Sequence, residues 1–418
     1  MDASGKGVLS TIETIHRAVA ALGDGSLTEE SVATHLAPLF SRVLERRAFA
    51  IDLANHSLGR PLDVTAADVG EALALWQRQL GDAWDPWLDE LAAYRARLAQ
   101  LLHAPRDDCV VPKTSAGQGL RAILNSYRTV PRVVATRGEF DSIDLILRHY
   151  ARLDRITLSF VEPEPDGQFV ADDLLNAVRA GTDLVVVSQV VFNTGQILPE
   201  LPALIAAAHE AGARVLVDIY HSLGVFPVDI AALDADFAIG GSYKYLRGGP
   251  GACYLYFHPR HLDGSLSTLD IGWFAKRERF AYRRPDPPEF AAGGDAFLES
   301  TPAILPWYQA RAGQVFTLAV GVDRLRAYSL AQQRRLIALL SERGVKAAGG
   351  TVDRGAFVVV RVGDEGAAVR CADALAQRGV ITDARDPWLR LCPDVLTTDD
   401  ELDRAAAEVA TVMREIAA

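Results

Sequence analysis

Short β-rich runs alternate with helical stretches between about residue 108 and residue 260. The runs are CVVP, RVVAT, RITLSF, DLVVVSQVVF, RVLVD, FAIGG and CYLYF. The stretches between them include GLRAILNSY, DSIDLILRHYARL and LPALIAAAHEAG, whose apolar residues recur at helical spacing. Such alternation is typical of a mostly parallel sheet covered by helices on both faces. We therefore predict an α/β domain with a mostly parallel sheet of the seven-stranded type.

Helical periodicity covers most of the first hundred residues. Apolar side chains recur at helical spacing over residues 7–48 and again over residues 66–103. In the second region we assign the apolar face to Leu73, Leu75, Leu80, Leu88, Leu91, Leu98 and Leu101. The segment AIDLANHSLGRP between the two regions is interrupted by polar and glycine residues, so it predicts a loop near a functional site.

The C-terminal part of the chain shows a different pattern. Residues 263–303 hold few periodic signals and many Gly, Pro and aromatic residues, which indicates a long functional loop. A long helix is predicted from residue 307 onward. After it, the short strands GAFVVVRV and WLRLCP alternate with the helices AAVRCADALAQRG and DDELDRAAAEVATVMREIAA. This order predicts a smaller, compact α+β domain.

The length of 418 residues suits a large domain with a smaller one. We assign residues 1–60 to N-terminal helices and an active-site loop, and we expect them to pack with the small domain. Residues 61–305 form the predicted large domain, and residues 306–418 form the small C-terminal domain.

Charge and cysteine content exclude several functional classes. The net charge is −11 and no Lys/Arg-rich run occurs, so nucleic acid is not an expected partner. The chain starts without a secretory signal pattern and has no run of about eighteen apolar residues, so we expect a cytoplasmic protein that does not enter a membrane. The cysteines form no CxxC pair, which argues against a zinc site or a disulfide framework. We interpret them as free buried thiols, with a nucleophilic Cys392 as the alternative.

Two side chains in the middle of the chain carry the strongest chemical signal. The apolar run RVLV ends on Asp218, and the run FAIGG is followed by Lys244 and the glycine-rich GGPG. A carboxylate and a buried amine suit a cofactor with a basic ring nitrogen and an aldehyde, which describes pyridoxal phosphate. The alternatives are that Asp218 only caps a helix and that Lys244 lies on the surface.

Further positions fit the same cofactor. The small residues Ser115, Ala116 and Gly117 precede a predicted helix, where backbone N–H groups and the helix dipole can bind a phosphate. Phe140 follows a strand and could stack on the pyridine ring, or it could be a core residue. Tyr243 could bind the phosphate or act in acid–base catalysis, with a plain core tyrosine as the alternative. For these residues the pattern alone leaves both interpretations open.

Several motifs together point to a known family. The segments DIYHS and SYKYLRGGPG are accompanied by ANHSLG, RGEFDSIDLIL, VFNTGQ, GWF, STPAIL and RLCP. This set resembles kynureninases, which are part of the class V aminotransferase group of fold type I pyridoxal phosphate enzymes. The resemblance covers about residues 50 to 393.

The resemblance implies a role for each matching residue. Lys244, Asp218, Tyr243 and His221 would be catalytic, with Lys244 forming the Schiff base and Asp218 pairing with the pyridine nitrogen. Tyr243 would contact the phosphate together with the backbone of Ser115, Ala116 and Gly117, and His221 would lie close to the cofactor. Phe140 would stack on the ring.

The resemblance also implies a partner and a substrate site. Trp273 and Thr301 would reach the cofactor of the neighbouring subunit, which implies a homodimer with active sites at the subunit interface. Arg390 would hold the α-carboxylate of an amino-acid substrate, and Asn55 and Ser57 would border the substrate pocket. An arginine paired with a surface carboxylate is the alternative for Arg390.

The reaction implied is hydrolytic cleavage of the Cβ–Cγ bond of a kynurenine-like amino acid, giving alanine and an aromatic acid. The chain departs from the family pattern near the substrate: His56 is inserted in ANHSLG, KTSAGQGL differs from the usual phosphate loop, and Pro-Leu-Tyr-Asn is missing after RLCP. Transamination and β- or γ-elimination, including C–S cleavage, are therefore alternatives, and a cofactor-free binding protein is a third. A substrate pocket with aryl-binding side chains would draw on Trp84, Trp87, Phe274 or His56.

Overall fold

The computed structural model describes residues 10–46, 50–348, 354–364, 366–385 and 387–417. Its α-helices are α1 (Thr11–Leu22), α2 (Glu29–Ser31), α3 (Ser41–Arg46), α4 (Thr65–Gln79), α5 (Trp84–Leu102), α6 (Ala116–Leu124), α7 (Asp141–Arg152), α8 (Ala171–Ala177), α9 (Leu201–Glu210), α10 (Ile230–Leu233), α11 (Leu305–Val320), α12 (Val322–Glu342), α13 (Ala367–Gln377) and α14 (Asp399–Ala417). Its strands are β1 (Ile51–Asp52), β2 (Val110–Lys113), β3 (Arg132–Thr136), β4 (Thr157–Val161), β5 (Leu184–Ser188), β6 (Arg214–Asp218), β7 (Phe237–Gly241), β8 (Cys253–Phe257), β9 (Ala347–Ala348), β10 (Val358–Arg361), β11 (Val380–Ile381), β12 (Asp383–Arg385) and β13 (Trp388–Leu391).

The large sheet has seven strands in the order β2-β8-β7-β6-β5-β3-β4. Strand β8 runs antiparallel to both of its neighbours, and the remaining pairs are parallel. The strands β5 and β7 are buried along their whole length, because helices cover both faces of a parallel sheet and leave no polar face to the solvent. The predicted seven-stranded, mostly parallel sheet is confirmed.

The carboxyl ends of the parallel strands meet at one edge of this sheet. Strand β3 ends at Thr136, β5 at Ser188 and β6 at Asp218, and Ser188 is the direct register partner of Asp218. Ligands of open α/β sheets bind at this edge. The fold therefore places the carboxylate singled out in the sequence where a ligand is expected.

The smaller C-terminal domain contains an antiparallel sheet in the order β12-β13-β10-β9. Apolar residues of β10 and β13 pack with those of α12, α13 and α14 into a core of their own. This arrangement confirms the predicted smaller α+β domain. Strand β1 from the N-terminal segment pairs in parallel with β11, so the early chain is attached to this domain.

The N-terminal segment connects several parts of the molecule. Helix α1 starts in a capping box, in which Ser10 and Glu13 each accept a hydrogen bond from the other's backbone N–H. Its buried side chains share a core with α11. After β1 the chain reaches the lysine turn, where the Gly59 N–H donates to the carbonyl of Tyr243 at 2.8 Å. Residues 7–9 and 47–48 of the predicted helical region lie outside the described residues.

Two predicted helices are each divided. Residues 66–103 form α4 and α5, separated by a short 3₁₀ segment that begins at Leu80 with a φ of 50°. Leu73 and Leu80 are exposed, so their assignment to the apolar face is wrong: the buried face of α4 passes through Asp68 and Ala72, and Leu80 lies in the break after this helix. The long helix predicted from residue 307 begins two residues earlier and is interrupted at Gly321, whose φ is 91°.

Some predictions of organisation remain predictions. The boundaries at residues 60 and 305 are not tested by the fold. In the described ranges no helix is long and apolar enough to cross a bilayer. The same ranges contain no group of three His, Cys, Asp or Glu side chains arranged to hold a metal ion.

The close approach at Gly59 is testable. A Cβ atom at this position would lie 1.8 Å from the carbonyl oxygen of Lys244, so Gly59→Ala must displace one of the two backbones. We expect a loss of stability of about 1–3 kcal/mol or more. Gly70→Ala, in exposed α4 with nothing within 4 Å of the added Cβ, should instead stabilise by about 0.5–1 kcal/mol. Thermal unfolding of both variants checks this, and equal melting temperatures would contradict it.

Candidate active site

Lys244 lies in the tight turn that follows β7. Its side chain is buried, and its Nζ lies 2.8 Å from Nε2 of His221. Gly241, at the end of β7, makes room for this arrangement, because a Cβ atom there would lie 2.3 Å from the ring of Tyr220. The rings of Tyr220, Phe140 and Tyr243 surround the amine at 5.4, 5.6 and 5.7 Å from their centroids. The turn thus holds one amine in an aromatic enclosure.

Burial changes the proton affinity of this amine. Burial lowers the pKa of Lys244 to about 8, while the charge of Asp218 opposes the shift and the charges of Arg390 and Arg385 reinforce it. A larger fraction of the amine is therefore neutral near physiological pH than for an exposed lysine. The neutral amine is the form that attacks an aldehyde.

His221 connects Lys244 to Tyr245. Burial lowers the pKa of His221 well below its usual range, with a further contribution from the charge of Lys244. Because the lysine ammonium can only donate, Nε2 of the neutral imidazole accepts from it and Nδ1 carries the proton. Nδ1 lies 3.1 Å from the hydroxyl oxygen of Tyr245, to which it donates. These two hydrogen bonds, from Lys244 to His221 and from His221 to Tyr245, fix the position of the amine.

Asp218 is a buried carboxylate at the end of β6. Its Oδ1 accepts from the backbone N–H of Tyr220 at 2.8 Å. Burial raises the pKa of Asp218 to about 6, although this N–H and the charge of Lys244 oppose the shift. A buried carboxylate with few donors is stabilised by a cation next to it. A protonated pyridine nitrogen would be such a cation.

A second buried carboxyl group, Glu139, lies beside this site and was missed in the sequence. It accepts from the Thr136 hydroxyl at 2.5 Å, from the Ser188 backbone at 3.1 Å and from the Ser188 hydroxyl at 2.6 Å. Burial raises the pKa of Glu139 to about 7, and the charge of Asp218 acts in the same direction. The sequence feature that could have identified Glu139 is its position directly before Phe140, just after a predicted strand.

A cavity of about 410 Å³ lies next to the lysine turn. It brings together residues from separate parts of the chain, and those that the sequence singled out are Ser57, Ser115, Ala116, Gly117, Phe140 and Tyr243. Tyr220 and Arg121 also line it. The residues expected to bind a phosphate and to stack on a ring therefore face a common space, while Lys244, Asp218 and His221 are not among the residues that line it.

The phosphate end of this cavity is the start of α6. Ser115 caps the helix by accepting from the backbone N–H of Gln118 at 3.1 Å, so the N–H groups of Ala116 and Gly117 are the ones that a helix start leaves for a ligand. A Cβ atom at Gly117 would lie 2.8 Å from Ile146 and 3.3 Å from Nη1 of Arg121. Arg121 lies one turn after Gly117 and brings a positive charge to the cavity. It was not identified as a site residue from the sequence, although the i, i+4 spacing places it on the same helix face as Gly117.

Arg390 does not face this cavity directly. It is 1% exposed, and its guanidinium donates to the carbonyl of Phe192 at 2.8 Å and to Asp383 at 2.5 Å. The Ser57 hydroxyl donates to the same carboxylate at 2.7 Å, and Nε2 of His56 lies 3.3 Å from it. Arg390 is thus paired with Asp383 and with a backbone carbonyl, and its role toward a substrate stays a prediction.

The other expected substrate and partner residues lie apart from the cavity. Asn55 lines a separate space of about 40 Å³ with Tyr245 and Arg247. Trp273 donates through Nε1 to the Thr301 hydroxyl at 3.0 Å, and neither lines the cavity next to Lys244. Trp84 and Phe274 pack around Trp273, and Trp87 packs against Trp84. His56 is buried against Phe357, with the ring centroids 5.2 Å apart.

All four cysteines, Cys109, Cys253, Cys371 and Cys392, are buried and free, as the sequence predicted. Burial raises the pKa of the Cys392 thiol to about 12, and its Sγ lies 3.4 Å from the carbonyl oxygen of Ala356. A nucleophilic cysteine is accessible and has a lowered pKa. Cys392 has the opposite properties, so its alternative assignment as a nucleophile is not supported.

The raised pKa of Glu139 predicts a pH-dependent stability. The pKa of this carboxyl group is about 7 in the folded protein, against an ordinary value of 4.5. Between pH 4.5 and pH 7 the folded state therefore binds more protons than the unfolded state. The free energy of unfolding falls as pH rises through this range. Glu139→Gln should remove this decline, on the order of 3 kcal/mol. Urea unfolding at several pH values measures the difference between variant and wild type.

The matched control is Glu162→Gln, at an exposed carboxylate that pairs with Arg137. Its unfolding curve should follow the wild type at every pH. Parallel stability curves for Glu139→Gln and the wild type would contradict the assignment of a protonated carboxyl group at position 139.

Comparison with known proteins shows which family the chain belongs to. The family model described as aminotransferase class-V matches residues 72–384. The kynureninase of Salinispora tropica is 30% identical over 359 residues, covering 80% of this chain and 83% of that protein. The kynureninase of Bacillus anthracis is 26% identical over 398 residues, covering 90% and 91%.

Solved structures share this fold, and the name of one of them includes the PLP cofactor. A mutant of C-DES with glycine covalently linked to the PLP cofactor has a TM-score of 0.79 at 20% identity, covering 89% of this chain and 98% of that chain. The cysteine desulfurase CsdA from Escherichia coli has a TM-score of 0.77 at 16% identity, covering 94% and 100%. At these identities the likeness establishes the fold. Because the family model spans most of the chain, the chain belongs to the class-V aminotransferase family of fold type I enzymes, with pyridoxal phosphate as its cofactor.

Proposed function

We propose that the protein hydrolyses the Cβ–Cγ bond of a kynurenine-like amino acid and releases alanine and an aromatic acid. The observation that carries this proposal is the similarity to proteins named kynureninase over 80–90% of the chain. The site supplies the groups that such a reaction requires. These are an amine with a lowered pKa, a neutral imidazole beside it and the protonated phenol of Tyr243, which lines the neighbouring cavity.

The cofactor site is proposed residue by residue. Lys244 would hold the aldehyde carbon, and Asp218 would face the ring nitrogen. The N–H groups of Ala116 and Gly117, together with Ser115, would bind the phosphate at the start of α6, and Phe140 would stack on the ring. When bound, pyridoxal phosphate supplies an aldehyde for amines and a ring that accepts electrons.

Proton transfer is proposed for two side chains. Once the substrate amine has taken its place, Lys244 is free to remove the α-proton, and its lowered pKa makes the neutral base available near physiological pH. Burial raises the pKa of Tyr243 far above its ordinary value, so this phenol keeps its proton. Tyr243 would then donate that proton to Cβ when the bond to Cγ breaks, while water adds to the γ-carbonyl carbon.

The remaining predicted roles are also proposals. Arg390 and Asn55 are proposed near the substrate together with Ser57, which lines the cavity. Trp273 and Thr301 would reach the cofactor of a second subunit, which makes a cytoplasmic homodimer part of the proposal. His221 would hold the amine of Lys244 in position through its 2.8 Å contact.

A second candidate is cleavage of a C–S bond by elimination. A solved structure with the same fold is named a cystine C-S lyase, with a TM-score of 0.79 at 21% identity, covering 88% of this chain and 98% of that chain. The same lysine and aspartate would serve such a reaction. Transfer of sulfur to a cysteine of this chain is disfavoured, because all four thiols are buried.

The cofactor assignment predicts a colour. Purified protein supplied with pyridoxal phosphate should show a visible absorption band, and Lys244→Ala should abolish it because the covalent bond is lost. Lys346→Ala, at an exposed lysine, should keep the band. A visible band in Lys244→Ala that matches the wild-type band and is likewise lost on reduction with borohydride would contradict the role of Lys244, because the imine would then form at another amine.

The reaction assignment predicts the products. With L-kynurenine as substrate, we expect alanine and an aromatic acid in equal amounts, both measured by chromatography. Pyruvate and ammonia from cystine would instead support elimination. A stoichiometric change of the cofactor to its amine form, together with a keto acid, would support transamination. Either of these results, without alanine from kynurenine, overturns the proposal.

A further inference from the structure

Two cationic side chains belong to the segment that holds the start of α6, Lys113 at the end of β2 and Arg121 within the helix. Lys113 is paired inside the protein. Its Nζ donates to Oε1 of Glu299 at 2.6 Å and to the carbonyl of Phe297 at 3.1 Å, and its side chain is 1% exposed. The charge of Lys113 is therefore neutralised by a carboxylate and is not available to a ligand.

Arg121 has no such partner. Within the described ranges its guanidinium group forms no ion pair and no hydrogen bond. The side chain is partly buried and lines the cavity of about 410 Å³ beside the lysine turn. Its Nη1 lies only 3.3 Å from the position of a Cβ atom added to Gly117. The unpaired guanidinium group is thus held against the first turn of α6.

Arg121 also determines the charge of the cavity wall. Among the described residues that line this cavity, it is the one charged side chain. Burial raises the pKa of Tyr220 and of Tyr243 well above its ordinary value, so both phenols that line the cavity are neutral. The cavity wall therefore carries one positive charge that no carboxylate of the wall compensates.

The other donors at this end of the cavity are neutral. The backbone N–H of Thr114 donates to Oε1 of Gln118 at 2.7 Å, and that of Gln118 donates to the Ser115 hydroxyl at 3.1 Å. The first turn of α6 therefore leaves the N–H groups of Ala116 and Gly117 for a ligand. A phosphate monoester carries about 1.5 to 2 negative charges near pH 7. Neutral donors alone compensate that charge less well than a cation beside them does.

We propose that Arg121 binds the phosphate group of the cofactor directly, as the charged member of a cradle that otherwise consists of backbone N–H groups and hydroxyls. The proposal rests on the proposed cofactor site and adds a residue to it. A guanidinium group donates two parallel hydrogen bonds to a phosphate, and its charge persists at every physiological pH. Gly117 makes the approach possible, because a Cβ atom there would lie 2.8 Å from Ile146 and would crowd the guanidinium group.

The first test compares two aldehydes that differ only in the phosphate. Apoprotein is titrated with pyridoxal phosphate and with pyridoxal, and the dissociation constants are read from the visible absorbance. For Arg121→Gln we expect a dissociation constant at least tenfold higher for pyridoxal phosphate and less than a twofold change for pyridoxal. Arg121→Lys should give an intermediate loss, because it keeps the charge but not the planar fork.

The second test observes the phosphate itself by ³¹P NMR of the bound cofactor. A free phosphate monoester takes up its second proton near a pKa of about 6, and an adjacent cation favours the dianion. The wild-type resonance should therefore stay constant between about pH 6 and pH 8. In Arg121→Gln the resonance should move with pH over this range, because the pKa of the phosphate rises when the cation is removed. A change in folding alone does not produce this titration.

The matched control is Arg148→Gln, which removes an exposed arginine of the neighbouring helix α7 that pairs with Asp144. It should change neither dissociation constant. Unchanged binding of pyridoxal phosphate in Arg121→Gln, or an equal loss for pyridoxal phosphate and pyridoxal, overturns the proposal.

Failure of this proposal and failure of the proposed function give different results. A wild-type protein that takes up pyridoxal phosphate but releases no alanine from L-kynurenine overturns the proposed reaction, while the role of Arg121 is still decided by the two titrations. A wild-type protein that binds pyridoxal as tightly as pyridoxal phosphate overturns the phosphate cradle and the role of Arg121 with it.

Discussion

The burial of one amine, that of Lys244, is the constraint on which the rest of the site depends. An ammonium group taken out of water is costly unless partners compensate it, and the protein provides an imidazole nitrogen at 2.8 Å and the charge of Asp218. The edge of the large sheet fixes the position of the amine: Lys244 follows β7, and Asp218 ends the neighbouring strand β6. The lowered pKa of the amine is a direct consequence of that placement.

Hydrogen bonds within the protein hold the strand ends beside this amine. Glu139 joins the ends of two strands through Thr136 and Ser188, and Ser188 is the register partner of Asp218. A carboxyl group that is protonated near neutrality can hold these strand ends without adding a second negative charge beside Asp218.

The small domain contributes charged side chains near the site, whereas the residues that line the cavity lie outside this domain. Its strands β12 and β13 place Asp383 between Arg385 and Arg390, and the N-terminal loop closes over the same carboxylate through Ser57. That loop also contacts the lysine turn, where Gly59 donates to the carbonyl of Tyr243. One loop thus contacts both the carboxylate of Asp383 and the lysine turn.

Local patterns in the sequence determined the seven strands of the large sheet, the small α+β domain and the two central residues, Asp218 and Lys244. Periodicity and strand ends are local properties, so they are visible without a structure. Only the tertiary structure decided that Arg390 is already paired, because one acceptor, the carbonyl of Phe192, is 198 residues away in the chain and the other, Asp383, depends on the register of β12 and β13. The same reason hid Glu139, whose burial depends on helices and strands that close over it.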